Sequence, residues 1–162
     1  MTTIAAEAVT CRTIDSPIGP LTLAGVDNAL RRLVIAGQRR EPDRCGWRVD
    51  DTAFADAVAQ LDAYFSRKLT RIDVELCLAG TDFQRRVWQA VQSIPHGQTR
   101  SYAWVAERIG SPGASRAVGM AVGRNPVPII VACHRVIGAA GALTGYVGGM
   151  ECKKALLALE SS

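Results

Sequence analysis

Between Cys11 and Gly37 the apolar positions come in short bursts, Leu21 with Leu23 and then Leu30 with Leu33 to Ile35, separated by Ser16-Pro17-Ile18-Gly19 and by Asp27-Asn28. Bursts this short, closed by turn formers, predict an antiparallel meander. The period then lengthens. Phe54, Ala57, Val58, Leu61, Tyr64 and Phe65 recur three and four apart, which predicts a helix within residues 51–67. Ile72, Val74, Leu76 and Leu78 alternate instead, predicting a half-buried strand with Cys77 on its polar face. Residues 38–50, with Pro42, Gly46 and several arginines, predict a surface loop, and the first nine residues a loose terminus.

From Thr81 onward the pattern is helical. Thr81 followed by Gln84 has the spacing of a capping box, and Phe83, Val87, Val91 and Ile94 fall along one face before Pro95-His96-Gly97 ends the helix. Ser101 is the N-cap of a second helix reaching Ile109, and Gly110-Ser111-Pro112-Gly113 turns into a third that starts near Ala114. Two short helices around a tight turn predict a helix-turn-helix. In the third helix Ala114, Ala117, Val118, Ala121 and Val122 form the inward stripe and Arg116, Gly119, Met120 and Gly123 the outward one. A face of small residues with one arginine lets the backbone lie close to a nucleic-acid groove, or allows tight helix packing.

Composition and charge narrow this picture. At 162 residues and 48% hydrophobic, the chain can bury a core as one domain of ordinary size or two small ones. No secretory signal or membrane span stands out, so a cytoplasmic protein is expected. Five cysteines without paired C-x-x-C spacing argue against a disulfide framework and a zinc ribbon. The halves differ in charge: residues 1–80 carry −1 and residues 81–162 carry +5, within a net charge of +4. Seven of the later cations are arginines, Arg85, Arg86, Arg100, Arg108, Arg116, Arg124 and Arg135, a type suited to phosphate recognition; a solvated basic surface is the plainer use.

The chemistry concentrates at Ala132-Cys133-His134-Arg135-Val136. A cysteine beside a histidine follows the β-branched run Ile129-Ile130-Val131, which is read as a stiff, extended approach stiffened further by Pro126 and Pro128. Downstream, Gly138-Ala139-Ala140-Gly141 and Gly145-Tyr146-Val147-Gly148-Gly149 make a pliable loop able to approach a ligand. Neighbours in an extended segment point to opposite sides, which makes a water between Cys133 and His134 physically sensible. Glu160 follows Leu156 by four and Leu157 by three, which sets its carboxylate at the edge of the buried face of a last helix. Cys152 falls with Ala155, Leu156 and Leu159 on that helix's inner stripe and is read as core.

These residues carry a family resemblance. Ile94-Pro95-His96-Gly97-Gln98-Thr99-Arg100-Ser101-Tyr102, Ser115-Arg116-Ala117-Val118-Gly119, Asn125-Pro126-Val127-Pro128-Ile129 and Cys133-His134-Arg135-Val136-Ile137-Gly138 occur in the order and spacing of the O6-alkylguanine-DNA alkyltransferases. The chain resembles that family over nearly its whole length. The resemblance implies an α+β fold, with a small β-rich, RNase H-like N-terminal domain (1–80) packed on a mostly helical domain (81–162) that holds the helix-turn-helix and the alkyl acceptor. It implies irreversible transfer of the alkyl group from O6-methylguanine, and from O4-methylthymine, in double-stranded DNA to Cys133, without a cofactor. The partner is DNA and not a membrane, and the protein is expected to be a monomer, with or without clustering on DNA.

By position, the resemblance makes Cys133 the acceptor, His134 and Glu160 its relay, and Asn125 a hinge that ties the helix-turn-helix to the acceptor segment. Arg116 resembles the finger that replaces the extruded base, and Tyr102 the residue that crowds the target phosphate. Ser115, Gly119, Met120, Gly123 and Arg124 complete the DNA face, while Tyr102, Val136, Val147, Gly148 and Gly149 are expected to wall the base pocket. Two positions depart from the family pattern. Ala132 stands where proline is usual and leaves a backbone N–H to satisfy, and Val147 puts β-branched bulk at the pocket rim, which predicts slow reaction with large alkyl groups. The zinc ligands of some relatives have no local chelate in Cys11, Cys45, Cys77 and His96. Two other classes stay open: a lesion binder that transfers nothing, and a Cys-His hydrolase.

Overall fold

The computed structural model describes residues 8–161; of the loose-terminus expectation, residues 1–7 lie outside the described residues. The meander forms as predicted. Strands β1 (Thr10–Ile14), β2 (Leu21–Val26) and β3 (Ala29–Ile35) pair antiparallel in sequence, with Ile14 opposite Leu21 and Leu21 opposite Ile35. The turn between β2 and β3 puts Asp27 and Asn28 at φ 50° and 67°, the left-handed values that a two-residue hairpin loop needs. A two-residue strand β4 (Arg48–Val49) pairs parallel with β1, so the segment read as loop contributes the outer edge of a sheet ordered β3-β2-β1-β4.

The other edge, β3, is covered by chain from far away. Leu30 donates to the Glu75 carbonyl at 2.9 Å and accepts from Cys77 at 2.9 Å, and Leu33 donates to the Pro126 carbonyl at 2.9 Å. Residues 72–78 are therefore not a strand. They touch the sheet through one bridge, Leu30 to Leu76, although Ile72, Val74, Leu76 and Leu78 are half-buried and Cys77 exposed as the alternation predicts. One side of that segment has its ladder partner only at Leu30, too few hydrogen bonds to extend pairing.

Helix α1 (Ala55–Phe65) lays Ala57, Leu61 and Tyr64 into the core. Helix α2 (Asp82–Gln92) opens on the predicted capping box, with the Thr81 hydroxyl and the Gln84 side chain each holding the other's backbone N–H. After the short strand β5 (Arg100–Ser101), α3 (Tyr102–Arg108) is capped by the Ser101 hydroxyl, and α4 (Ser115–Gly123) follows the glycine-proline turn. The Trp88 indole of α2 donates to the Ala121 carbonyl at 2.9 Å, fixing α4 against α2. In α4, Val118, Ala121 and Val122 are buried as expected, but Ala117 is exposed, so the inward stripe is narrower than the sequence suggests. The last helix α5 (Met150–Glu160) buries Lys153, Leu156 and Glu160; Cys152 and Leu159 are half-buried and Ala155 faces out. One apolar cluster runs from the sheet through α1 into α2, α3, α4 and α5.

Candidate active site

The approach to Cys133 is not extended. Residues 128–131 close a tight turn, bridged from Pro128 to Val131, in which Ile129 takes φ 78°. A β-branched residue there is strained and persists only if its surroundings dictate it. Asn125 supplies the dictation: its Nδ2 donates to the Val131 carbonyl at 2.8 Å and to Cys133 Sγ at 3.1 Å, while its Oδ1 accepts from the Val127 N–H at 3.0 Å. One buried amide thus closes the segment from 125 to 133 on itself and touches the sulfur.

At Ala132 (φ −76°, ψ 60°) the Cys133 N–H reaches back to the Val131 carbonyl at 2.7 Å, the geometry of an inverse γ-turn. Residues Cys133–Arg135 then form one turn of 3₁₀ helix. Successive side chains in such a turn diverge by about 120° and not by the half-turn of a strand. His134 and Arg135 accordingly both reach Glu160. Strand β6 (Val136–Ile137) pairs parallel with β5, Arg100 opposite Val136 and Ser101 opposite Ile137, which ties the start of α3 to the acceptor segment.

Glu160 is the hub. Its Oε2 accepts from His134 Nε2 at 2.7 Å, Arg135 Nη2 at 2.9 Å and the Tyr64 hydroxyl at 2.5 Å, and its Oε1 from Arg135 Nε at 2.8 Å. Burial alone pushes this carboxyl up, but the hydrogen bonds from His134 and Arg135 outweigh it and hold the group ionised. Burial lowers the His134 imidazole despite the Glu160 hydrogen bond that favours its charge, so the resting ring is neutral, and its Nδ1 is buried without a hydrogen-bond partner. Burial pushes the Cys133 thiol up to about 11, against the Asn125 hydrogen bond and the Lys153 charge, which pull it down. The resting sulfur is a protonated thiol, and the next residue in the chain is a neutral imidazole whose Nε2 is anchored to a carboxylate and whose Nδ1 is free.

Sequence reasoning missed four of these groups. The sequence places Arg135 among the arginines suited to phosphate; in the structure it is buried, and also holds the Ile94 carbonyl at 2.7 Å. Its signal was an arginine inside an apolar run, a position that demands a partner. Lys153 is fully buried and donates to the Val136 and Thr144 carbonyls at 2.8 and 3.1 Å; it shares the stripe of Leu156 and Glu160 on α5. The Tyr146 hydroxyl is buried beside Cys133, where a hydrogen bond from it helps to favour the thiolate, and both residues line the same cavity. Tyr64 reads as core, and no local pattern shows that its hydroxyl meets a carboxylate 96 residues away.

Cys133 lies at the base of an open cavity of about 340 Å³. Tyr102, Gly119, Met120, Gly123 and Arg124 from the helix-turn-helix line it, facing Tyr146 and Val147 of the glycine loop. Tyr102 is half-buried, with its hydroxyl on Thr144 Oγ1 at 2.6 Å. Val136, Gly148 and Gly149 do not line this cavity. Val136 is fully buried, Gly149 (φ 92°) precedes α5, and a Cβ on Gly148 would come within 2.7 Å of Ile35 Cδ1, so that glycine lets the loop seat on β3. Of the seven arginines, Arg85 pairs with Asp82, Arg86 caps α3 through the Ile109 carbonyl, Arg100 and Arg108 stack on Trp104, and Arg135 is buried. Arg116 and Arg124 are the two whose side chains have no partner among the described residues; Arg116, Met120 and Gly123 are exposed, while Ser115 opens α4, which has no side-chain cap.

Comparison with known proteins settles what carries this geometry. Residues 82–162 match the family described as 6-O-methylguanine DNA methyltransferase, DNA binding domain, and residues 9–78 match its ribonuclease-like domain. The chain belongs to the methylated-DNA–protein-cysteine methyltransferases. A member from Mycolicibacterium paratuberculosis is 60% identical over 92% of this chain and 90% of its own length, and one from Methanosarcina acetivorans is 48% identical over 91% and 96%. The crystal structure of the Mycobacterium tuberculosis protein in complex with DNA is similar at TM-score 0.90 and 58% identity, covering 94% of this chain and 92% of that one. The fold is therefore the α+β pair that this methyltransferase family shares. No helix among the described residues is long and apolar enough to cross a membrane.

Proposed function

We propose that Cys133 is the residue to which this methyltransferase moves the alkyl group during repair of O6-methylguanine, and of O4-methylthymine, in double-stranded DNA. The observation that carries the reading is a buried thiol at the base of an open cavity, held by Asn125 and adjacent to a neutral histidine anchored on an ionised glutamate. The step balances without a cofactor. His134 Nδ1 takes the thiol proton, directly or through a water, and the thiolate attacks the methyl carbon. The carbon–oxygen bond breaks as the carbon–sulfur bond forms, and the base departs with the electron pair and regains a proton. Nothing then cleaves the thioether, so each molecule reacts once.

On the DNA side, Arg116 fills the stack that the extruded base vacates, and Tyr102 stands against the target phosphate. The exposed, unpartnered state of Arg116 and the small residues Gly119 and Gly123 beside it support this reading. Ser115, Met120 and Arg124 complete the contact face, and Val147, which lines the cavity opposite Tyr102, borders the alkyl group. The protein acts in the cytoplasm as a monomer.

Mixing the protein with duplex DNA containing O6-methylguanine and measuring intact mass tests the reading. One methyl, mapped to Cys133 and absent in Cys133→Ser, is expected. No gain identifies a lesion binder, turnover without gain a hydrolase, and a methyl on another cysteine removes Cys133 from the role.

A further inference from the structure

The cavity above Cys133 is bordered on one side by residues from outside the helix-turn-helix. Arg39 and Arg40, from the loop after β3, line it together with Arg124 and Val147. Arg40 and Arg124 also line a second groove that continues away from the cavity between the sheet region and α2, past Arg32 and Pro126. The loop is tied down: the Arg39 N–H donates to the Val147 carbonyl at 3.1 Å, and Gln38 accepts from the Ile35 N–H at 2.7 Å and donates to the Arg40 carbonyl at 2.8 Å. Its backbone is fixed while its cationic side chains are exposed. Neither the Arg39 nor the Arg40 side chain has a hydrogen bond or ion pair among the described residues, and the neighbouring acid, Glu41, faces Arg44 at 3.6 Å. The sequence pattern marked these residues as surface loop and gave them no role.

We propose that Arg39 and Arg40 contact the phosphodiester backbone of the DNA strand carrying the extruded nucleotide, so that the strand is held between this loop and α4. The inference rests on the reading of the protein as a DNA alkyltransferase. Two guanidinium groups without protein partners, at the mouth of a cavity that must admit a nucleotide, match phosphate chemistry through charge and fork geometry. A nucleotide drawn toward Cys133 brings its own phosphates to that mouth, which places anions beside Arg39, Arg40 and Arg124 together.

The test measures binding of O6-methylguanine duplex and of undamaged duplex over a range of salt, for the wild type, Arg39→Ala/Arg40→Ala and Arg39→Lys/Arg40→Lys. Melting temperature confirms that each variant folds, and the rate with free O6-methylguanine base normalises the chemistry. The alanine pair is expected to reduce the slope of log affinity against log salt by about 2 and to weaken binding by about tenfold at moderate salt. The lysine pair should recover most of the slope, and the ratio of duplex to free-base rate should fall in the alanine pair. An unchanged slope and affinity overturn the proposal, as does an equal fall in duplex and free-base rates, which marks a disturbed pocket. Failure of the wild type to take a methyl from DNA overturns the alkyltransferase reading instead and is seen separately.

Discussion

The sheet region and the helical region bury different things. Residues 10–65 fold around leucines and isoleucines, and the polar group their strands bury is Thr22, paired with Thr13 at 2.9 Å. Residues 82–160 bury Asn125, His134, Arg135, Lys153 and Glu160, a charged and hydrogen-bonded cluster next to a thiol. Such a cluster costs stability unless its members are satisfied, and the first region supplies an element of that satisfaction: Tyr64 of α1 reaches across to Glu160, β3 holds Pro126, and Ile35 seats the glycine loop. The contrast teaches that the sheet region is a clamp on a strained, polar site and not a separate unit beside it.

Removing the hub strikes that contrast hardest. Glu160→Gln leaves Arg135 buried without a countercharge and should cost about 3–5 kcal/mol of stability. Methyl transfer should slow by roughly a hundredfold or more with duplex and free base alike, while DNA affinity is kept. Stopped-flow transfer rates below the melting temperature read this; lost affinity with a normal rate would remove Glu160 from the relay. The wild type carries a matching pH signature. His134 and Glu160 both titrate below their ordinary values, so the unfolded chain binds more protons in acid and stability falls as the pH drops, first below about 6.5 and further below about 4.5. The raised Cys133 thiol acts at the other end: the folded state keeps its proton longer, and stability is lost as pH rises from about 9 toward about 11. Thermal melts against pH should show both limbs, with the alkaline one flattened in Cys133→Ser.

Arg116→Ala separates the DNA face from the chemistry. Transfer from duplex DNA should fall by about tenfold or more relative to transfer from the free base, because only the duplex must be unstacked. Equal losses would place Arg116 outside the stack. Tyr64→Phe tests the clamp itself. Loss of a buried hydrogen bond to a carboxylate should cost about 1.5 kcal/mol, the low end of the range for charged partners because His134 and Arg135 remain on Glu160. Both substrates should react more slowly, less so than in Glu160→Gln, and an unchanged melting temperature with unchanged rates would make the two regions independent. The smallest effect is a gain. Ala132 at φ −76° already has proline's backbone and its N–H has no partner among the described residues, so Ala132→Pro should add about 0.4–1 kcal/mol and keep transfer intact. A lower melting temperature would show that the γ-turn does not tolerate the ring.

What the sequence determined by itself is local. Hairpin turns, the Thr81–Gln84 capping box, the Ser101 cap and the glycine-proline turn each depend on residues a few positions apart, and each formed where the pattern placed it. The motif around Cys133 and His134 was legible for the same reason, and so was the helical position of Glu160. Tertiary structure decided the rest. Periodicity showed that 129–131 was apolar but not that Asn125 would fold it into a turn, and it ranked Arg135 with surface arginines because charge alone does not reveal a carboxylate 25 residues away. The Tyr64–Glu160 bond and the seating of Gly148 on Ile35 join segments that no spacing rule connects, since they exist only once the sheet and the helices are packed against each other.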